Sequence, residues 1–321
     1  MSSSISVSDA DSSPRADSSY VLVLLATIAT CTIVTIAALQ WSWSHYDLFQ
    51  SISPFRYQLW LAERSEPPVT AIAVGDSHAG MGFYAPPGPV KSVAFAGESV
   101  RETRLKLEFV LPRLKDLKIV YLQAQPHMFF PHRDMIPKIF YQDLVQARSF
   151  NPLEHVLAQF DSCCRARVLP ETLRALAGGP PTPPEPKIEP NGYLDYATPV
   201  LHVGDFKRLA ANEVASYGEL RFSKQLLEEY QAMIAMLKAK GVESVLVRYP
   251  LSKSYRAVLP GAMVQRADEF FSGLTEQYGL RRCGDWAAFE DEGLFFNADH
   301  LNRSGANLYW MMIEPCLSSA K

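Results

Sequence analysis

The stretch "AIAVGDSHAGMGF", residues 71–83, places Ser77 where an apolar run breaks at a glycine-flanked turn. A serine hydroxyl there is either a nucleophile for acyl chemistry or a polar loop residue. It becomes reactive near neutral pH only when a base takes its proton. The base has to come from elsewhere in the chain, and "LFFNADHLNRSGANLYW", residues 294–310, offers one: His300, after a short apolar run and just before a helix. His78 is nearer in sequence but is expected to point away from its neighbour's hydroxyl. Asp76 is expected to shape the turn.

These residues need a scaffold. Val69–Val74 is a short β-branched run ending at Gly75, the pattern of a buried parallel strand. Ligands bind at the carboxyl edge of such sheets, and a helix starting there directs N–H groups at an anion. Lys91–Phe95 reads as a second strand. It leads through "AGES" to a helix with a Ser99/Glu102 capping box and an apolar face of Leu105, Leu107, Phe109, Val110 and Leu114. Lys118–Gln123 is a third strand. From about residue 131 to 215 the periodicity dissolves around "AGGPPTPPEPKIEP", an expected insertion. A helix over Ser223–Lys240 stopped by Gly241, a strand over Ser244–Tyr249, a helix around Val264–Tyr278, a short strand near Leu280–Cys283 and a helix from about Ser304 complete the pattern. Alternating strands and helices imply an α/β fold, a three-layer α/β/α sandwich with a parallel sheet.

The N-terminus has a different character. Residues 1–19 are serine-rich and acidic and read as a disordered tail. Residues 20–41, "YVLVLLATIATCTIVTIAALQW", carry no charge, proline or glycine and have about the ~20 residues that a helix needs to cross a bilayer. The run exceeds the apolar core of a secretory signal, and no basic segment precedes it, so an uncleaved anchor is expected. Arg15 against Arg56 and Arg64 does not settle its orientation. Residues 42–66 read as a membrane-proximal connector and 67–321 as the main domain with its insertion.

A net charge of −3, with no lysine–arginine cluster, excludes a nucleic-acid-binding class. No phosphate-binding or dinucleotide motif is present, and "GDSHAG" has one residue too many for an α/β-hydrolase elbow, so no cofactor is expected. His127 and His132 in "HMFFPHRD" are expected at the surface rather than on a metal. Of the five cysteines, Cys31 lies in the anchor, and Cys163, Cys164, Cys283 and Cys316 lie outside it. Cys283 with Cys316 is one pairing, and ordinary buried thiols are the other reading.

Together, "GDSH", "FAGES" and "DHLNRSGA" resemble the SGNH (GDSL-like) hydrolase superfamily, especially its membrane-anchored branch of DltD-like and AlgX/AlgJ-like O-acetyltransferases. The resemblance runs over roughly residues 69–125 and 220–315. It implies that Ser77 is the nucleophile and His300 the base, with the backbone N–H groups of Ser77 and Gly97 forming the oxyanion hole. Asn297 stands where the family has an aspartate, with Asp299 the alternative partner. Where the family has an oxyanion asparagine, "YLQAQPHMFF" offers Gln123 or Gln125, with His127 nearby. Further implications are a serine acyltransferase or acylesterase, with a plain carbohydrate esterase or a non-catalytic binding or assembly subunit of a polysaccharide acetylation complex as the alternatives, a polysaccharide or other acylated carbohydrate as substrate, a membrane-bound O-acyltransferase as partner, and a single-pass protein of the inner or plasma membrane with its domain periplasmic or extracellular.

Overall fold

The computed structural model describes residues 18–44, 54–134, 187–196 and 205–318. Two compact units divide the chain at His45/Tyr46. In the first, α1 (Ser18–Ser44) is a continuous helix of 27 residues. The hydroxyls of Thr27, Thr32 and Thr35 each donate to the carbonyl four residues back, 2.8 Å away, so the helix satisfies its own polar side chains. Side chains are described only for residues 20–35 and 37, and these are exposed. Among the described residues no helix is long and apolar enough to cross a membrane.

The second unit is built on five parallel strands: β1 (Ala71–Val74), β2 (Val90–Ser92), β3 (Ile119–Gln123), β6 (Glu243–Val247) and β7 (Arg281–Cys283), in the order β2-β1-β3-β6-β7. The three inner strands, "AIAV", "IVYLQ" and "ESVLV", are buried at all but their first positions, or throughout in β1. Such continuous apolar runs suit strands covered on both faces. The flanking strands "VKS" and "RRC" carry a lysine and two arginines, as sheet edges do, and the inner β6 carries a charge only at its first residue, Glu243. Register runs Ile72↔Val120 and Leu122↔Leu246 across the centre. Strand order reverses between β1 and β3, which opens a crevice at their carboxyl ends.

Helices flank the sheet, an arrangement consistent with a three-layer sandwich. They are α2 (Pro54–Glu63), α3 (Ser77–Gly82), α4 (Val100–Val110), α5 (Phe206–Ser216), α6 (Lys224–Ala239), α7 (Lys253–Val258), α8 (Gly261–Tyr278) and α9 (Arg303–Ser318). α4 packs beside α6, and α3 beside α9. The capping box forms: Ser99 Oγ accepts from the N–H of Glu102, and the Ser99 N–H donates to Glu102. On α6, Leu226, Tyr230, Met233, Ile234 and Leu237 make the buried stripe expected of the 3.6-residue period. A disulfide joins Cys283, at the end of β7, to Cys316 of α9.

Two segments are more ordered than their sequence led us to expect. α2 lies within the stretch read as a connector, yet Leu59 and Ala62 are in the core and Gln58 donates to the carbonyls of Ala94 and Gly192. Of the expected insertion at 131–215, residues 135–186 and 197–204, with Cys163 and Cys164, lie outside the described residues. The rest carries α5, held by Phe206, Ala210 and Val214 on one face, and an antiparallel hairpin of β4 (Lys187–Ile188) and β5 (Leu194–Asp195). Leu194 comes so close to α3 that a Cβ on Gly80 would lie 2.4 Å from it. Residues 1–17 of the expected tail are likewise outside the described residues.

Candidate active site

The chain leaves β1 at Gly75, whose φ of +139° suits only glycine, and a Cβ there would lie 2.3 Å from Gln123 Oε1 on β3. The close approach has a purpose. Gln123 Oε1 accepts the Asp76 N–H at 2.8 Å, and Gln123 Nε2 donates to Asp76 Oδ1 at 2.8 Å. Asp76 caps α3 by accepting the His78 N–H at 2.9 Å. Ser77 is therefore the first residue of α3, at the carboxyl end of β1 and beside the point where strand order reverses. An N–H in that position has no carbonyl one turn back to bond to.

His300 arrives from a tight loop before α9. The Asn297 side-chain oxygen accepts the N–H groups of Asp299 and His300, at 3.3 and 2.9 Å, and the Phe296 N–H donates to the His300 carbonyl at 2.8 Å. The loop thus delivers His300 Nε2 to 2.7 Å from Ser77 Oγ, across a sequence separation of 223. On the other side of the ring, Nδ1 lies 2.9 Å from Asn297 Oδ1 and 2.8 Å from Asp299 Oδ1. Both residues considered as orienting groups therefore reach the same nitrogen. With Nδ1 protonated, Nε2 is the acceptor for the Ser77 hydroxyl. Asp299 is buried, which opposes its charge, yet His300 and His78 hold its carboxyl well below the usual range.

Behind this row lies a set of groups that sequence reasoning largely missed. His78 does turn from the Ser77 hydroxyl, as expected, but toward a defined place: Nδ1 lies 3.1 Å from Asp76 Oδ1 and Nε2 3.3 Å from Asp299 Oδ2. The second contact is ionic rather than a well-aligned hydrogen bond. Burial opposes its charge, but Asp76 and Asp299 push the His78 pKa up to about 9. His127 was expected at the surface and is instead buried, 2.8 Å from Asp76 Oδ2, because "MFF" after it (Met128–Phe130) packs into the core and carries it inward. Its pKa falls to about 4 through burial and the neighbouring His78 charge. Arg133 completes the cluster 3.2 Å from Asp76 Oδ2. Asp76 is buried, but His127 and His78 keep its carboxyl well below the usual range. With His127 neutral, two carboxylates face one imidazolium and one guanidinium, so the buried charges balance. The signal available in sequence was "GDSH" itself: an N-cap aspartate puts its carboxylate beside the residue two positions on.

Gly97 lies in the turn after β2, with φ +68°. The Phe95 N–H donates to the Gly75 carbonyl at 3.1 Å, which sets that turn beside the one bearing Ser77. Below it, Lys106 and Glu98 form an ion pair with both side chains fully buried. Gln125 is also fully buried; its Oε1 accepts from Gln123 and its Nε2 donates to the Tyr249 carbonyl at 3.1 Å, so its amide serves the frame beneath the site. His132 stacks on Tyr217, apart from Asp76.

The donor atoms of Asp76, His78 and His127, and those of His78, Asp299 and His300, lie within 4.8 Å of one another. Their ion pairs with each other and with Arg133 account for that closeness. The arrangement is that of a serine activated by a histidine and a carboxylate, suited to acyl transfer. The chain matches no protein-family model and no curated protein.

Proposed function

We propose that the chain is an SGNH-type serine acyltransferase or acylesterase that acts on O-acetyl groups of an envelope or extracellular polysaccharide. The observation that carries the chemistry is the unbroken line Ser77 Oγ, His300 Nε2, His300 Nδ1, Asp299 Oδ1, with contacts of 2.7 and 2.8 Å. Ser77 Oγ attacks the ester carbonyl carbon as its proton passes to His300 Nε2. The tetrahedral intermediate collapses, the departing alcohol takes that proton, and an acetyl group remains on Ser77. A sugar hydroxyl, or water, then attacks the acetyl carbonyl, gives its proton to His300, and Ser77 leaves with that proton restored. The resemblance assigns the oxyanion to the N–H groups of Ser77 and Gly97, each such donor being worth about 3 kcal/mol.

The carbohydrate substrate and the membrane-bound O-acyltransferase partner come from the resemblance, and the anchor at residues 20–41 rests on the uncharged sequence of that stretch alone, since among the described residues no helix is long and apolar enough to cross a membrane. The Cys283–Cys316 disulfide adds support for a periplasmic or extracellular domain, since such bonds persist in oxidising compartments. The test is to incubate the full-length protein with an activated acetyl ester and locate the adduct by mass spectrometry. Acetyl on Ser77, absent in Ser77→Ala and His300→Ala, is the expected outcome. An unmodified Ser77 in folded protein would sink the proposal.

A further inference from the structure

His78 takes no proton in the scheme above, yet it links the two carboxylates of the site. It is buried, its ring lies against His300 on one side and His127 on the other, with centroids 4.3 and 4.2 Å away, and its two nitrogens address two different carboxylates. The charged and titratable groups around it come from three places. Asp76 is the cap of its own helix, Asp299 and His300 belong to the loop before α9, and His127 follows β3 with Arg133 behind Asp76. Nδ1 is within hydrogen-bond reach of Asp76 and Nε2 faces Asp299 at ion-pair distance, so an imidazolium meets a carboxylate on each side, whereas a neutral imidazole leaves two buried carboxylates facing no charge on that ring.

We propose that His78 is a positioning residue, an imidazolium that holds one oxygen of Asp299 so that the other stays on His300 Nδ1. The kinetic consequence rests on the reading of Ser77 as nucleophile, whereas the charge state of His78 and its contact with Asp299 do not. Loss of the His78 proton, near pH 9, frees Asp299 to shift.

The experiment uses the full-length protein with His78→Gln, which keeps a hydrogen-bonding amide, and His78→Phe, which keeps a stacking ring. Histidine-ring NMR titration and the pH profile of acetyl-ester hydrolysis are the readouts. In wild type, His78 is expected to carry protons on both nitrogens at pH 7. In the variants kcat at pH 7 falls about 10-fold or more with KM within about 2-fold, and the alkaline limb near pH 9 is lost. A neutral His78 in wild type at pH 7 overturns the proposal without any variant, as does a folded variant that keeps the wild-type kcat and pH profile. If wild type does not hydrolyse the ester at all, it is the nucleophile reading that fails, and the ring titrations still decide the role of His78.

Discussion

Asn297 and Asp299 meet the same imidazole nitrogen, but their parts differ. Asn297 Oδ1 is already committed to two backbone N–H groups, so its work is to shape the loop. Asp299 brings the negative charge that an imidazolium needs during turnover. Changing Asp299→Asn should therefore lower kcat on the order of 10³-fold with KM little altered, read from ester hydrolysis at neutral pH. Replacing Asn297→Asp should change kcat less than about 10-fold, because the carboxylate role is already filled. A large gain from Asn297→Asp would instead mean that Asp299 does not support the base.

At the scale of elements, the turn bearing Gly97 is held by one buried ion pair. Lys106, on α4, donates to the Val93 carbonyl and pairs with Glu98. Lys106→Met removes the cation facing a buried carboxylate and should cost about 3–5 kcal/mol in urea unfolding. Pairing it with Glu98→Leu should recover most of that loss. The disulfide between β7 and α9 closes a sequence separation of 33 residues. Its removal by Cys283→Ala with Cys316→Ala should destabilise by about 3–4 kcal/mol. A smaller effect would mean that packing of α9 alone restrains the unfolded chain.

For the whole molecule, the two buried histidines set opposite limits on stability. His78 has its pKa raised from 6.5 to about 9, so its contribution is complete below pH 6.5 and is lost as pH rises toward 9. His127 has its pKa lowered from 6.5 to about 4, so stability falls as pH drops from 6.5 toward 4. Thermal unfolding followed across pH should show an optimum near 6.5 from this pair. His127→Gln should flatten the acid side between pH 6.5 and 4, and His78→Gln the alkaline side. Parallel loss on both sides in either variant would mean that other groups govern the curve.

Much of this was legible in sequence because it is local. Apolar runs marked the three inner strands, the Ser99/Glu102 spacing marked a capping box, and the apolar period marked α6, since each follows from backbone geometry over a few residues. The Ser77–His300 contact was also within reach, because both residues follow strand-like runs and a parallel sheet gathers such ends on one edge. What lies behind that pair was not. His127 reaches Asp76 only because β3 sits next to β1 and the aromatic segment after it is driven into the core. β4 of the hairpin beside α3 lies inside "AGGPPTPPEPKIEP", whose composition predicts loop or extended chain but does not name the partner it pairs with. Residue order determined which groups the chain carries and where its strands begin. Strand order and packing decided which of those groups share a buried space, and burial, by stripping water from them, turned neighbours into a charge-balanced network.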